Sequence, residues 1–164
     1  MAPRVDRVES GDRLPASTSV VIVGGGIVGA SAALFLSLRG VPTVLCEKGH
    51  IGGEQSSRNW GWCRKMGRDP RELPLAIEAL RLWEDMNRLT GAETGYRRSG
   101  IMYLCDTPEE LARYEAWMEH ARNYQLDTKI IGSAEVSALM PGASRTWAGA
   151  LHTPSDGKAE PQMG

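Results

Sequence analysis

Cysteine is scarce in this sequence: Cys46, Cys63 and Cys105 are odd in number, far apart, and form no C-x-x-C pair. That pattern argues against a secreted disulfide framework and against a cysteine zinc site, and leaves reduced thiols in a cytoplasmic protein as the expectation. Neither sign of charge dominates, with 19 Lys and Arg against 20 Asp and Glu. No basic field for nucleic acid or anionic lipid follows from that balance. Long apolar runs are missing too, and the longest, residues 27–38, falls short of the about 20 residues that a membrane-spanning helix needs. An apolar fraction of 41% with a mean hydropathy of −0.31 excludes a membrane protein and disfavours full disorder. Residues 1–19 mix charges of both signs (Arg4, Asp6, Arg7, Glu9, Asp12, Arg13) and lack an apolar stretch, so no signal peptide is read there. His50, His120 and His152 stand isolated, and neither a catalytic triad nor a metal site is expected of them.

What is present is glycine. The chain holds 19 in 164 residues, about 12% against a usual share of about 7%. Four of them, Gly24, Gly25, Gly26 and Gly29, fall in one short segment. The length is that of one domain, and residues 1–18 read as a polar, mobile leader to a domain over 19–164.

Val20 to Val23 is a β-branched run that predicts a buried strand. Ile27 to Leu38 has helical composition and stops before Gly40, and Thr43 to Glu47 is a second apolar run closing on a carboxylate. This is the minimal parallel βαβ unit. Lys48 to Asp69 shows no sustained period and reads as a long loop with one short helical piece. Asp69-Pro70-Arg71-Glu72 predicts a helix start with proline at its first position, the regular helix beginning near Leu73. Leu73, Leu75, Ile77, Ala79, Leu80, Leu82 and Met86 form its broad apolar face. Further on, residues 96–104 read as strand bent at Gly100, and Thr107 caps one helix running to Ala121. Residues 129–131 read as strand, Ser133 caps a short helix ending at Met140, and residues 147–152 form a last strand before a turn-rich tail.

Gly24-x-Gly26-x-x-Gly29 lies directly between a predicted strand and a predicted helix, the context that makes this pattern a dinucleotide-binding fingerprint. Gly24 permits the sharp turn, Gly26 removes a side chain that would block a pyrophosphate, and Gly29 allows close helix–strand packing. The N–H groups of the first helical turn, at Ile27 and Val28, then face two phosphates. Glu47 falls 23 positions after Gly24, at the end of the second strand, with Lys48 beside it. Its carboxylate is placed to accept hydrogen bonds from a ribose diol, and it would repel a ribose 2′-phosphate, so NADP is disfavoured. NAD and FAD both remain open from this unit alone.

Residues 23–36, Val-Gly-Gly-Gly-Ile-Val-Gly-Ala-Ser-Ala-Ala-Leu-Phe-Leu, with Gly40 and Val44-Leu-Cys-Glu-Lys, resemble the N-terminus of the FAD-dependent oxidoreductases. The group is that of D-amino-acid oxidase, glycine oxidase and sarcosine oxidase. The loop Gly52-Gly53-Glu54-Gln55-Ser56-Ser57-Arg58-Asn59-Trp60-Gly61 is similar to that family's second FAD-contacting segment, where a small hydroxyl residue approaches the pyrophosphate. The resemblance makes Ser57, Arg58 and Asn59 cofactor-binding candidates; the competing reading is a solvated basic loop with Arg58, Arg64, Lys65 and Arg68 at the surface. Trp60 and Trp62 could wall a ring system or be plain core, and Cys63 reads as a buried, inert thiol. Residues 153–161 resemble the family's entry into its substrate domain.

The resemblance implies an α/β fold, a Rossmann-like FAD-binding βαβ unit with additional helices and short strands. It implies hydride transfer to flavin from the carbon bearing the amine of an amino acid or related small molecule, with no catalytic residue identified in this chain. Two alternatives stay beside it: an NAD-linked dehydrogenase domain and a non-catalytic nucleotide-binding fragment. Family members are more than twice this long, so the chain reads as the N-terminal part of a truncated two-domain flavoprotein. Its sheet, cut after the second strand, leaves an apolar edge that invites association. The 164-residue chain alone is therefore expected to bind FAD weakly; titration followed by flavin fluorescence checks this, and one-to-one binding at micromolar concentration or tighter would refute it.

Overall fold

The structure is a computed structural model that describes residues 5–11 and 13–164. Of the expected leader, residues 1–4 and 12 lie outside that description, and the described remainder up to Ser19 forms no helix or strand. The chain divides into two compact units, the first made of residues up to Gly61 with 93–95 and 160–164, the second of 62–92 and 96–159.

The first unit is the βαβ motif. Strand β1 (Val20–Val23) pairs in parallel with β2 (Thr43–Cys46), in the register Val20↔Thr43 to Val23↔Cys46. Helix α1 (Ile27–Ser37) makes the crossover. The ladder extends one step past β1, since Gly24 donates its N–H to Cys46 O at 2.8 Å. Gly40, at φ +71°, ends α1: its N–H reaches Ser37 O and that of Val41 reaches Leu36 O, at 2.9 and 3.0 Å. This is the left-handed stop expected of a glycine in that place. Helix and strand meet at van der Waals limits, because a Cβ on Gly29 would lie 1.9 Å from Gly24 O. Among the described residues the sheet has two strands, and Val21 and Val23 on β1 are exposed.

The second unit is built on an antiparallel sheet of β4 (Ile101–Cys105), β6 (Gly149–Thr153) and β5 (Lys129–Gly132), with β6 central. Helix α5 (Ser133–Leu139) covers one face, where Ile131, Val136 and Ala150 are buried against Met102, Met140 and Trp147. A second, two-residue ladder joins β3 (Trp62–Cys63) to β7 (Gly157–Lys158). It carries the cluster of Cys63, Tyr96 and Ala159 under Leu80 of α2 (Leu73–Thr90).

Several expectations are corrected here. The loop at 48–69 holds the expected short helical piece, a 3-10 turn at Gln55–Ser57, but it also contains strand β3, which the absence of a period does not predict. The start of α2 is as expected: Asp69 accepts the N–H of Arg71 at 2.9 Å, residues Pro70–Glu72 form a 3-10 turn, and the regular helix begins at Leu73. The buried stripe of α2 is Leu73, Ala76 and Leu80, while Leu75 is 75% exposed; at about 100° per residue it lies well away from that stripe. The helix expected over 107–121 is two, α3 (Pro108–Ala112) and α4 (Glu115–Asn123). The chain tightens between them, Tyr114 N–H bonding to Leu111 O at 3.0 Å, and this brings the Tyr114 ring to 6.0 Å from that of Tyr103. Thr107 does cap α3, accepting Glu110 N–H at 3.2 Å. Ser133 does not cap α5; the cap position is Gly132, the last residue of β5.

The Gly29–Gly24 approach generates a stability prediction. Gly29→Ala must force α1 off β1 and is expected to cost about 3 kcal/mol or more. Gly142→Ala, where a Cβ meets nothing within 4 Å, is expected to stay within about 0.5 kcal/mol of the parent. Denaturant unfolding of both variants checks the pair.

Candidate functional site

The carboxyl end of β1, the amino end of α1 and the residue after β2 converge on one cluster of main-chain amides. Gly24, at φ +104°, turns the chain so that the N–H of Gly25 donates to Glu47 Oε2 at 2.7 Å. Gly49 N–H donates to the other oxygen, Oε1, at 2.8 Å. Both bonds go to the ionised form, so the amides of Gly25 and Gly49 hold the Glu47 carboxyl below the usual carboxylate range, outweighing its slight desolvation. A carboxylate offers about four acceptor positions, and these two bonds leave the remainder for a diol.

The first helical amide is met from the loop. Ile27 N–H donates to Ser56 Oγ at 2.8 Å, which satisfies one of the donors that every helix start leaves without an internal partner. Ser56 Oγ is also the atom that a Cβ on Gly26 would approach, at 3.0 Å. Asn59 fixes this loop from both ends of its amide: Nδ2 donates to Ser56 O at 2.6 Å, and Oδ1 accepts Gly61 N–H at 2.6 Å. Ser57, by contrast, is buried, with its Oγ on Glu54 O at 3.2 Å and its carbonyl accepting from Gln162 Nε2 at 3.1 Å. Arg58 pairs with Glu54 at 3.3 Å on the surface. Lys48 is exposed beside Glu47, and Ile27 and Val28 present their side chains to solvent.

So Gly24, Gly26, Ile27 and Glu47 come together with Gly29 behind them, and Asn59 reaches the cluster through Ser56. Two contributors are not singled out by the sequence. Ser56 was one of two adjacent hydroxyls, and only the 3-10 turn over Gln55–Ser57 decides which of them faces α1. Gly25 fills a variable position of the motif, yet a Cβ there would lie 2.4 Å from Ile51 Cδ1 and 3.1 Å from Glu47 Cβ. The run of three glycines was the available signal.

Other candidates lie elsewhere. Trp62, in the second unit, is 6.0 Å from the Tyr103 ring, with the Arg64 guanidinium 5.9 and 5.6 Å from the two ring centres. Cys63 is buried and desolvation pushes its thiol up to about 11, which keeps it protonated and inert at neutral pH. No grouping of three His, Cys, Asp or Glu able to hold a metal occurs among the described residues, and no helix among them is long and apolar enough to cross a membrane.

Residues 19–163 match the family described as DAO, FAD dependent oxidoreductase. The chain belongs to that family. Among curated proteins, it is 30% identical over 145 residues to the mitochondrial pyruvate dehydrogenase phosphatase regulatory subunit of Mus musculus, covering 87% of this chain and 16% of that one. It is 30% identical over 151 residues to glycine oxidase of Geobacillus kaustophilus, covering 85% of this chain and 39% of the oxidase. Among solved structures, L-amino acid deaminase from Proteus myxofaciens superposes with a TM-score of 0.91 at 34% identity, over 98% of this chain and 37% of that one. L-proline dehydrogenase from P. horikoshii gives 0.82 at 27% identity, over 90% and 39%. The chain thus spans well under half the length of each of these relatives, and its fold is that of the N-terminal part of the family's FAD-dependent enzymes.

The grip on Glu47 carries a titration prediction. Its folded pKa is lowered, so the two amide bonds contribute stability in full above the unfolded glutamate value, about 4.3. That contribution is lost as pH falls through the lower folded value. Carboxyl-carbon NMR should place Glu47 below about 4.3; a midpoint at or above that figure would show that the amides do not hold it.

Proposed function

We propose that this chain supplies the ADP-binding part of a flavoenzyme that oxidises the C–N bond of an amino acid or related small amine. The observation that carries the reading is the turn at the start of α1, bare of side chains at Gly24, Gly25 and Gly26 and held by the Gly24, Gly25 and Ile27 amides on Cys46, Glu47 and Ser56, with an oriented Glu47 carboxylate beside it. Such a cradle suits a pyrophosphate followed by a ribose diol. Bound FAD would supply the hydride acceptor, which no side chain in this chain can replace.

This chain's own residues would act as follows. Gly24 and Gly29 would shape the pyrophosphate cradle, Gly26 and Val28 would turn their amides to it, Ile27 would position Ser56 beside it, and Glu47, flanked by Lys48, would accept from the ribose hydroxyls. Ser56, whose oxygen already accepts from Ile27 N–H, keeps its own O–H to donate to a phosphate oxygen. Asn59 would orient Ser56, Ser57 would anchor the loop from within, and Arg58 would add a cation at its rim. Family membership favours FAD over NAD as the dinucleotide. Three cysteines outside any disulfide support a cytoplasmic protein, and the exposed edge of β1 supports association through that edge.

The full-length protein purified from its host is expected to carry FAD and to lose its yellow absorbance on anaerobic addition of the right amino acid. Gly26→Val should abolish flavin content and Ser56→Ala should weaken FAD binding about tenfold, the equivalent of about 1.4 kcal/mol. Full flavin content in Gly26→Val would move the site elsewhere. Stable FAD binding without bleaching by any amino acid or amine would instead favour a regulatory role, as the name of the mouse relative carries.

A further inference from the structure

Asp156 follows β6 with its side chain fully buried. Its Oδ1 accepts the main-chain N–H of Lys65 at 2.9 Å and its Oδ2 that of Met66 at 3.1 Å. Lys65, 8% exposed and so no solvated cation, brings its ammonium to 3.5 Å from Asp156 Oδ1 and donates to Ser155 Oγ at 2.7 Å. Ser155 in turn donates its hydroxyl to Asp127 Oδ1 and its N–H to Asp127 Oδ2, the latter at 2.8 Å. Asp156 also anchors through its main chain, accepting Gly100 N–H at 2.8 Å.

The segment held this way cannot hold itself. β3 and β7 share two residue pairs, Trp62↔Lys158 and Cys63↔Gly157, and a ladder that short does not fix its own register. Register matters here because successive side chains point to opposite sides. Cys63 and Lys65 go inward, while Trp62 and the less buried Arg64 go to the side of Tyr103. A slip of one residue would exchange the two sets and leave the buried carboxylate facing aromatic groups.

We propose that Asp156 is a latch that sets the register of residues 62–66, with Lys65 as its buried counter-ion and the Asp127–Ser155 pair as its brace. The latch is internal to the second unit and does not depend on the nucleotide-binding reading. Two consecutive amides, one carboxylate and one ammonium satisfy each other, and removing any partner leaves a buried polar group without its mate.

The three cysteines report on it. Cys46 is exposed, and Cys63 and Cys105 are buried, Cys63 beside the latch and Cys105 on β4. Thiol labelling of the full-length native protein, read residue by residue by mass spectrometry, is expected to modify Cys46 first. Asp156→Asn keeps the shape but turns an NH2 toward an N–H that needs an acceptor. It should raise the labelling rate of Cys63 at least tenfold with Cys105 unchanged. Unchanged protection of Cys63, or Cys63 and Cys105 rising together as in global unfolding, overturns the proposal. Should that variant not fold, amide hydrogen exchange in the unmodified protein decides it. The Lys65 and Met66 amides are expected to exchange at least a hundredfold more slowly than that of exposed Gly67, and exchange at the same rate overturns the latch whatever the flavin content.

Discussion

The approach of α1 to the end of β1 is the constraint on which the proposed nucleotide site depends. With 1.9 Å between a notional Cβ on Gly29 and the carbonyl of Gly24, only hydrogen fits, and the helix begins as close to the strand as main chain allows. That distance brings the first helical amides directly off the strand end, where the helix's partial positive charge is least screened. The flanking polar groups follow from it. Glu47 is delivered by the parallel register of β2 with β1, and Ser56 by the loop that returns over the turn, tied by Gly52 N–H to Gly25 O at 2.8 Å.

Glu47 and Ser56 play complementary parts in that geometry. The acid accepts from two main-chain amides and is thereby fixed without a ligand, so a sugar bound there would meet an acceptor whose ordering cost was met on folding. The serine accepts one helical amide and carries a donor of its own to the same spot. Asn59, bridging Ser56 and Gly61, is the reason a solvent-exposed loop holds one hydroxyl in place. Apart from these short side chains the site is made of backbone, and a Cβ added at Gly25, Gly26 or Gly29 would meet its neighbours at 2.4, 3.0 and 1.9 Å.

What was legible in the sequence is what is local. β1, α1, β2 and the stop at Gly40 follow from β-branched runs, glycine placement and a helix start, all decided within about five residues of each other. The acid at Glu47 was legible because the strand length fixes where the second strand ends. Ser56 was not distinguishable from Ser57, because the choice between neighbouring hydroxyls rests on one 3-10 turn that composition does not reveal. The β3–β7 ladder was invisible for a different reason: two residues have no period, and their partners lie more than 90 positions away. Lys65 belongs to the same class, a cation in a polar stretch whose burial depends on a carboxylate near the other end of the chain. The helix break before Tyr114 is likewise a tertiary choice, made where Tyr103 and Tyr114 meet.

Burial separates the two units. In the second, Ile131, Val136, Ala150 and Leu151 are at or below 1% exposure, and the sheet is closed on the face covered by α5. In the first, α1 has no fully buried residue, and Val23 and Val28, flanking the glycine turn, are 88% and 81% exposed. Each fully buried valine contributes roughly 1.5–3 kcal/mol relative to an exposed one, so these two leave several kcal/mol ungained in the element that forms the cradle. The fold of the βαβ unit is therefore set by backbone fit, above all by the close approach of Gly29 to Gly24, and little by burial of its own side chains.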